Sequence, residues 1–238
     1  MAWRASLLQA TWNYERQQGV GWAWALAPAL ERLEPDATSR ARRLAEHTAY
    51  FNTQPTLASL ALGTVAALEE ERAAGQGPDT DAMARVKSVL GSALAALGDR
   101  LFWLTLRPFA ACLGIVIAIT IGPLTGALAM WLAYNVIHQP LRFVGVGWGY
   151  RGGPGMLARL RPRLEGLTRL LCIVGSGVVG VLVAVLLTPR GESRPLGYQI
   201  ALALGLTFGL LTAQRSRPSP TGWALIAGAA SMIGVWTH

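Results

Sequence analysis

The chain has 238 residues, of which 52% are hydrophobic and only 14% charged, and its formal net charge at pH 7 is +8. So few charged residues exclude an ordinary soluble domain, and the length allows one or two domains. Residues 1–100 have a net charge of −1. Residues 101–238 contain 11 Arg against two acids, Glu165 and Glu192, which gives a net charge of +9. Because these arginines lie in short loops between apolar runs, the charge indicates an integral membrane protein and no nucleic-acid partner.

Three helical segments are predicted in the first hundred residues. Asp36 is a suitable N-cap for an amphipathic helix over Ala37–Phe51. Pro55–Leu68 is apolar but only about 14 residues long, which favours a re-entrant or interfacial segment over a crossing. Beyond a turn at Gly75–Asp79, apolar residues at helical spacing predict a further helix over Asp81–Leu97.

The second half of the chain contains the predicted membrane spans. Phe109–Ile137 is apolar but too long for one straight span, and Gly122-Pro123 predicts a break because proline removes a helix hydrogen bond. Three later runs approach the roughly 20 residues that cross a bilayer: Leu170–Leu187, Leu196–Ala213 and Gly222–Trp236.

These patterns predict an all-α, polytopic integral membrane protein. Residues 1–100 form an N-terminal helical region with amphipathic and re-entrant segments, and residues 101–238 form the transmembrane region. The segment His138–Arg169 should face the cytoplasm, since short arginine-rich loops resist translocation. Its six arginines stand against one acid: Arg142, Arg151, Arg159, Arg161, Arg163 and Arg169.

Asn13 and Gln17 are the first candidate ligand-binding residues. They are four residues apart, which places them on one face of a helix. Side-chain amides both donate to and accept from hydroxyl groups without the cost of desolvating a charge, which suits a polyhydroxylated ligand. The alternative interpretation is an interfacial helix with an aromatic belt.

Asn52 and Gln54 have the same side-chain amide groups, and they also allow two interpretations. They could project into a polar cavity at membrane depth and bind a sugar. Alternatively, Thr53 caps a helix whose first turn contains Pro55, an arrangement that requires no ligand.

Acidic residues give two further patterns. Asp99 precedes the first strongly apolar segment, where it is either a functional boundary acid or a helix N-cap. Glu69–Glu71 with Arg72 is most simply a solvated helix end.

The sequence does not predict an enzyme, a metal site or a cofactor. The histidines His47, His138 and His238 are isolated from one another, as are the two cysteines. The glycines of Gly145–Gly149 follow no predicted strand, so they are a poor match to a phosphate-binding loop.

Taken together, the motifs resemble the IID membrane subunit of the mannose/fructose/sorbose class of bacterial phosphotransferase systems (PTS). Their order and spacing agree over about residues 6–150. The matching stretches are Trp12-Asn13-Tyr14-Glu15-Arg16 with Gln18-Gly19, Phe51-Asn52-Thr53-Gln54-Pro55, Leu68-Glu69-Glu70 with Arg72-Ala73 and Gly75, Gly98-Asp99 with Phe102-Trp103, Thr105 and Arg107-Pro108, and Arg142 with Gly145-Val146 and Gly149-Tyr150.

The resemblance implies a multi-pass inner-membrane subunit of a sugar permease. Such a IID subunit pairs with a IIC membrane subunit, and the pair is repeated in a higher oligomer. Together the two subunits bind and move a hexose. Cytoplasmic IIA and IIB phosphocarriers phosphorylate the sugar, while IID holds no phosphorylated residue of its own. On this basis the expected sugar-pathway or gating residues are Asn13, Glu15, Asn52, Gln54 and Asp99.

Two departures from the family pattern keep an alternative open. The segment that usually reads Gly-Pro-Leu-Ala-Gly is Ser92-Ala93-Leu94-Ala95-Ala96 here, which is a better helix former. Arg169 stands where the family commonly has Glu. The alternative is therefore a IID-like regulatory or scaffold subunit that binds PTS partners without transporting sugar.

Overall fold

The computed structural model describes residues 1–186, together with positions 200 and 204. The chain divides into two compact units, Met1–Leu171 and Cys172–His238. The all-α prediction is confirmed for the described residues, whose ordered elements are helices apart from isolated β-bridges. The helices are α1 (Ala2–Ala5), α2 (Gly19–Leu33), α3 (Ala37–His47), α4 (Ala58–Ala73), α5 (Thr80–Gly98), a π-helical segment (Asp99–Leu106), α6 (Arg107–Thr120), α7 (Pro123–Gly152), a 3-10 turn (Gly153–Gly155) and α8 (Met156–Leu186).

Helix α3 begins where the sequence predicts and ends earlier. The Asp36 carboxylate accepts a hydrogen bond from the Ser39 amide at 2.7 Å, which confirms the predicted cap. The helix ends at His47 rather than at Phe51, because the Phe51 backbone pairs with a distant segment. Its carbonyl accepts a hydrogen bond from the Gln18 amide at 2.9 Å.

Helix α4 is the buried centre of the first unit. Every residue from Ala58 to Ala66 is buried, so the helix is covered on all sides. It contacts α2, α5 and α7. An evenly apolar helix of this kind belongs in a core rather than on a surface. Pro55–Leu68, the segment predicted to be re-entrant, therefore lies largely within this central helix, and its position relative to a bilayer stays a prediction.

Glycines allow α4 and α7 to pack backbone against backbone. Gly145 and Gly149 lie one turn apart in α7 and face α4. A Cβ atom at Gly149 would lie 2.9 Å from both the Leu60 carbonyl carbon and the Thr64 nitrogen. The Thr64 hydroxyl donates to the Gly149 carbonyl at 3.2 Å. The glycine run is thus a helix-packing surface of the kind found in membrane helices.

Among the described residues, two continuous helical stretches are long and apolar enough to cross a membrane. They are Thr80–Thr120, of 41 residues, and Pro123–Val183, of 61 residues. Only 28% and 22% of their most apolar windows are buried. The predicted break falls between them, at residues 121 and 122. Of the three later apolar runs, Leu170–Leu187 lies mostly in α8. Only positions 200 and 204 of Leu196–Ala213 are described, and Gly222–Trp236 lies outside the described residues.

Candidate functional site

A cavity of about 810 Å³ lies between α3, the segment that follows it, and α5. Glu15 and Asn52, two of the five predicted sugar-pathway residues, both line it. Other polar lining residues are Glu46, His47 and Lys87. The wall therefore offers an amide, carboxylates and an ammonium group, which together can donate to and accept from the hydroxyl groups of a polar ligand.

Contacts made by its two chain neighbours, Phe51 and Thr53, fix the position of Asn52 at the cavity. The buried Gln18 amide group donates to the Thr53 carbonyl at 2.8 Å and accepts from the Thr53 amide at 3.0 Å. The Thr53 hydroxyl donates to the Gly91 carbonyl of α5 at 2.9 Å. On the other side of Asn52, Phe51 is buried against Trp22, with ring centroids 4.0 Å apart. Asn52 is consequently the exposed residue between two anchored neighbours.

Asn13 stabilises a turn rather than facing the cavity. Its Oδ1 atom accepts a hydrogen bond from the Arg16 amide at 2.8 Å. The prediction that Asn13 and Gln17 share a helix face is wrong. Their backbones pair across the turn, and Gln17 has a φ of 54°, which is incompatible with a continuing right-handed helix. Glu15, at the tip of this turn, is exposed and 3.8 Å from the Arg16 guanidinium.

Gln54 caps the turn that leads into α4. It is only 3% exposed, and its Oε1 atom accepts hydrogen bonds from the Thr56 amide at 2.7 Å and the Leu57 amide at 3.1 Å. The alternative that Thr53 caps this helix is wrong, because its hydroxyl donates to the Gly91 carbonyl of α5 instead.

Asp99 is exposed and does not line the cavity, although the preceding residue, Gly98, packs against the Gln54 side chain. It begins the π-helical segment in the middle of the continuous stretch Thr80–Thr120. The alternative that Asp99 caps the start of a helix is therefore wrong, because α5 runs into it without interruption. The structure brings together Glu15 and Asn52, and it places Asn13, Gln54 and Asp99 outside the cavity lining.

A buried network of charged side chains lies beside the cavity and includes two of its lining residues, Glu46 and His47. The Glu69 carboxylate is 1% exposed and accepts hydrogen bonds from Arg43 Nη1 and Arg72 Nη1, each at 3.3 Å. His47 Nε2 lies 3.1 Å from the same carboxylate. Arg72 also pairs with Glu46, a cavity residue, at 2.8 Å. The interpretation of Glu69 as part of a solvated helix end is wrong, because side chains of α3 cover it.

Lys87 extends this network to α5. Its side chain is 5% exposed, and its ammonium group donates to the His47 carbonyl at 3.3 Å while lying 5.7 Å from the centroid of the Trp22 ring. The network thus joins α3 and α5, which line the cavity, to α4. This network was not predicted from the sequence. The one signal available was Lys87, a charged residue on the apolar side of the predicted helix Asp81–Leu97.

The protonation states of the central pair follow from their surroundings. Burial lowers the pKa of His47 below its usual 6.5, and this outweighs the opposing effect of Glu69. Burial raises the pKa of Glu69, but the His47 hydrogen bond and the charges of Arg72 and Arg43 outweigh it, so the pKa is lowered. At pH 7 a neutral His47 therefore donates its Nε2 proton to an ionised Glu69.

We expect the protein to lose stability on acidification in two stages. Unfolded His47 takes up a proton below about pH 6.5 while the folded residue resists, so the unfolded state binds more protons and stability falls. Glu69 adds a second loss below its usual pKa of 4.5, because the unfolded carboxylate takes up a proton while the pKa of the folded one is lower. Thermal unfolding measured from pH 8 to about pH 3 checks both stages. His47→Gln should flatten the first stage, and an unchanged profile in that variant would contradict the assignment.

Among the described residues, no group of three or more His, Cys, Asp or Glu side chains is arranged to hold a metal ion.

Comparison with known proteins identifies the family. A family model for the PTS system mannose/fructose/sorbose family IID component matches residues 1–190. The chain is 38% identical over 182 residues to the PTS system mannose-specific EIID component of Escherichia coli (strain K12), covering 76% of this chain and 64% of that protein. It is 34% identical over 182 residues to the fructose permease IID component of Bacillus subtilis (strain 168), covering 76% of this chain and 66% of that protein.

Solved structures agree with the sequence comparison. One described as a membrane protein has a TM-score of 0.70 at 30% identity, covering 99% of this chain and 94% of that one. A chain of the cryo-EM structure of the mannose transporter ManYZ with microcin E492 (MceA) has a TM-score of 0.61 at 30% identity, covering 99% and 93%. The chain spans about 64% of the length of its E. coli relative. This chain belongs to the IID component family of the mannose/fructose/sorbose phosphotransferase systems.

Proposed function

We propose that this chain is the IID subunit of a mannose-type sugar permease. It pairs with a IIC subunit to bind and translocate a hexose, which IIB phosphorylates during uptake with phosphate received from IIA. The names of its relatives, which are components specific for mannose, sorbose and fructose, support a hexose substrate.

The observation that carries the proposal is the position of Asn52 on the cavity. Its neighbours are anchored by Gln18, Gly91 and Trp22, so the backbone of Asn52 is fixed at the cavity and has little freedom to lose on binding. Glu15 lines the same cavity and can accept hydrogen bonds from sugar hydroxyls. Asn13, Gln54 and Asp99 would then act indirectly, through the turn, the cap and the π-helical segment that they occupy.

Exposed apolar side chains on α6 and α7 support membrane insertion and subunit contact. Ile119, Leu124, Trp131 and Val136 are between 48% and 72% exposed, which is costly in water and favourable in lipid or at an interface. We place the protein in the inner membrane as a multi-pass subunit, assembled with IIC into a higher oligomer. The arginine-rich segment His138–Arg169, which forms the end of α7 and the first part of α8, would face the cytoplasm.

One feature favours the regulatory or scaffold alternative. Where the family has a Gly-Pro break, α5 runs uninterrupted through Ser92–Ala96, and Ser92 and Ala95 line the cavity. A more rigid cavity wall would restrict any movement that sugar release requires.

We predict that Asn52→Ala weakens hexose binding, whereas Gln54→Ala lowers stability. Asn52→Ala should leave thermal stability unchanged and weaken hexose binding about 2- to 13-fold, the loss of one hydrogen bond to a neutral partner. Gln54→Ala should lower the free energy of unfolding by about 1–3 kcal/mol, because it removes a cap and leaves two amides without their acceptor.

Both quantities should be measured on the purified IIC–IID complex, by melting temperature and by titration with mannose, fructose and sorbose. Unchanged hexose affinity in Asn52→Ala would remove Asn52 from the sugar site. An unmutated complex that binds none of the three sugars would favour the regulatory alternative.

A further inference from the structure

A second cavity lies at the turn between α7 and α8, remote in sequence from the proposed sugar site. It has a volume of about 370 Å³ and is lined by three arginines, Arg151, Arg159 and Arg163, together with Trp148. We propose that this basic cavity binds the phosphate group of an anionic phospholipid headgroup.

The cavity concentrates positive charge without an acid to balance it. None of its lining residues is acidic. The nearest acid in sequence, Glu165, is paired with Arg161 at 2.8 Å. Among the ion pairs formed by the described residues, none involves Arg151, Arg159 or Arg163. Three guanidinium groups around one concave space create a potential that attracts an anion, and their planar donors fit phosphate oxygens.

The turn holds one of the three arginines, Arg159, in place. Arg159 Nη2 donates to the Gly152 carbonyl at 2.7 Å, which ties the first turns of α8 back to the end of α7. Arg159 and Arg163 are four residues apart, so they project from the same face of α8. The third arginine, Arg151, lies in the last turn of α7.

The other lining residues favour a lipid over a soluble anion. Met156 and Leu160 give the cavity an apolar wall, and Trp148 is 41% exposed at its rim. Tryptophan is enriched at membrane interfaces, where its ring lies at the level of the headgroups. The apolar parts of α7 and α8 precede and follow this turn in the sequence. Basic cavities beside membrane helices on the cytoplasmic side bind anionic headgroups.

The test compares two variants that lose the same charge. Arg151→Gln/Arg163→Gln removes two cavity arginines, and Arg161→Gln/Arg169→Gln removes two exposed arginines outside the lining. Each protein is purified as the full chain, with its IIC partner, and titrated with phosphatidylglycerol, phosphatidylcholine or inorganic phosphate. Bound lipid is counted by native mass spectrometry, and melting temperature is recorded to show that the variants are folded.

We expect the unmutated protein to bind phosphatidylglycerol more tightly than phosphatidylcholine. The cavity variant should lose about 30-fold in affinity for phosphatidylglycerol, about 5-fold per arginine, while the control variant changes less than about 3-fold. Arg151→Lys/Arg163→Lys should retain part of the affinity because it keeps the charge. If the double variant does not fold, Arg163→Gln alone should show the 5-fold loss.

Equal losses in the cavity and control variants would overturn the site, as would equal binding of the two lipids. Inorganic phosphate that binds with the same dependence on Arg151 and Arg163, and displaces phosphatidylglycerol, would assign the cavity to a soluble phosphate instead.

Discussion

Replacing Glu69 by Gln is expected to lower the free energy of unfolding by about 3–5 kcal/mol, the usual effect of removing one partner from a buried ion pair. The carboxylate lies between Arg43 and Arg72, and its loss leaves both guanidinium groups in a buried site with less compensation. The loss of stability arises from the charges of Arg43 and Arg72, which lose their carboxylate partner, since a neutral amide fills nearly the same volume. Chemical or thermal unfolding of the purified complex measures it.

Glu71→Gln is the matched control for this prediction. It makes the same chemical change two residues along α4, at an exposed position, and should shift stability by less than about 0.5 kcal/mol. Equal stabilities of the two variants would mean that the buried network contributes nothing to the fold.

The second large effect is expected at the contact between α4 and α7. Gly149→Ala should destabilise the protein by about 3 kcal/mol, the upper part of the range for overpacking, because the added Cβ atom overlaps the backbone of Leu60 and Thr64. Backbone atoms of a central helix cannot move aside as a side chain would. The helices must therefore separate, and the loss should appear in melting temperature and in the yield of the assembled complex.

Gly147→Ala provides the comparison within the same helix. A Cβ atom at Gly147 meets only the end of the Arg151 side chain, at 3.6 Å. In the interior of a helix, alanine is favoured over glycine by about 1 kcal/mol, so this variant should be neutral or slightly stabilised. Two variants of equal stability would show that the close packing of α4 on α7 is not required.

Local signals in the sequence predicted where helices α3 and α7 begin. Asp36 has the chemistry of an N-cap, and the structure confirms it. Pro123 cannot continue a helix hydrogen-bond ladder, and α7 begins there. Each of these features depends on residues within one or two turns, where the sequence alone carries the relevant contacts.

The contacts that build the site are long-range, and the sequence does not reveal them. Gln18 pairs with Thr53, 35 residues away, and this pairing rather than a helix face orders the segment after Asn13. Glu69 belongs to a run of acids that resembles a solvated helix end, yet its partners Arg43 and His47 come from α3. The amide of Gln54 could serve a ligand or a cap, and only the positions of the Thr56 and Leu57 amides distinguish these roles.

The central claim is that this chain acts as the IID subunit of a hexose permease, and phosphorylating uptake tests it most directly. Cells without other routes for hexose entry should express the cognate IIC, IIA and IIB proteins, with or without this chain, and be supplied with labelled mannose, fructose or sorbose. We predict that labelled sugar phosphate accumulates only when this chain is present, and more slowly with Asn52→Ala. Equal accumulation without the chain, or none with a fully assembled IIC–IID complex, would contradict the account.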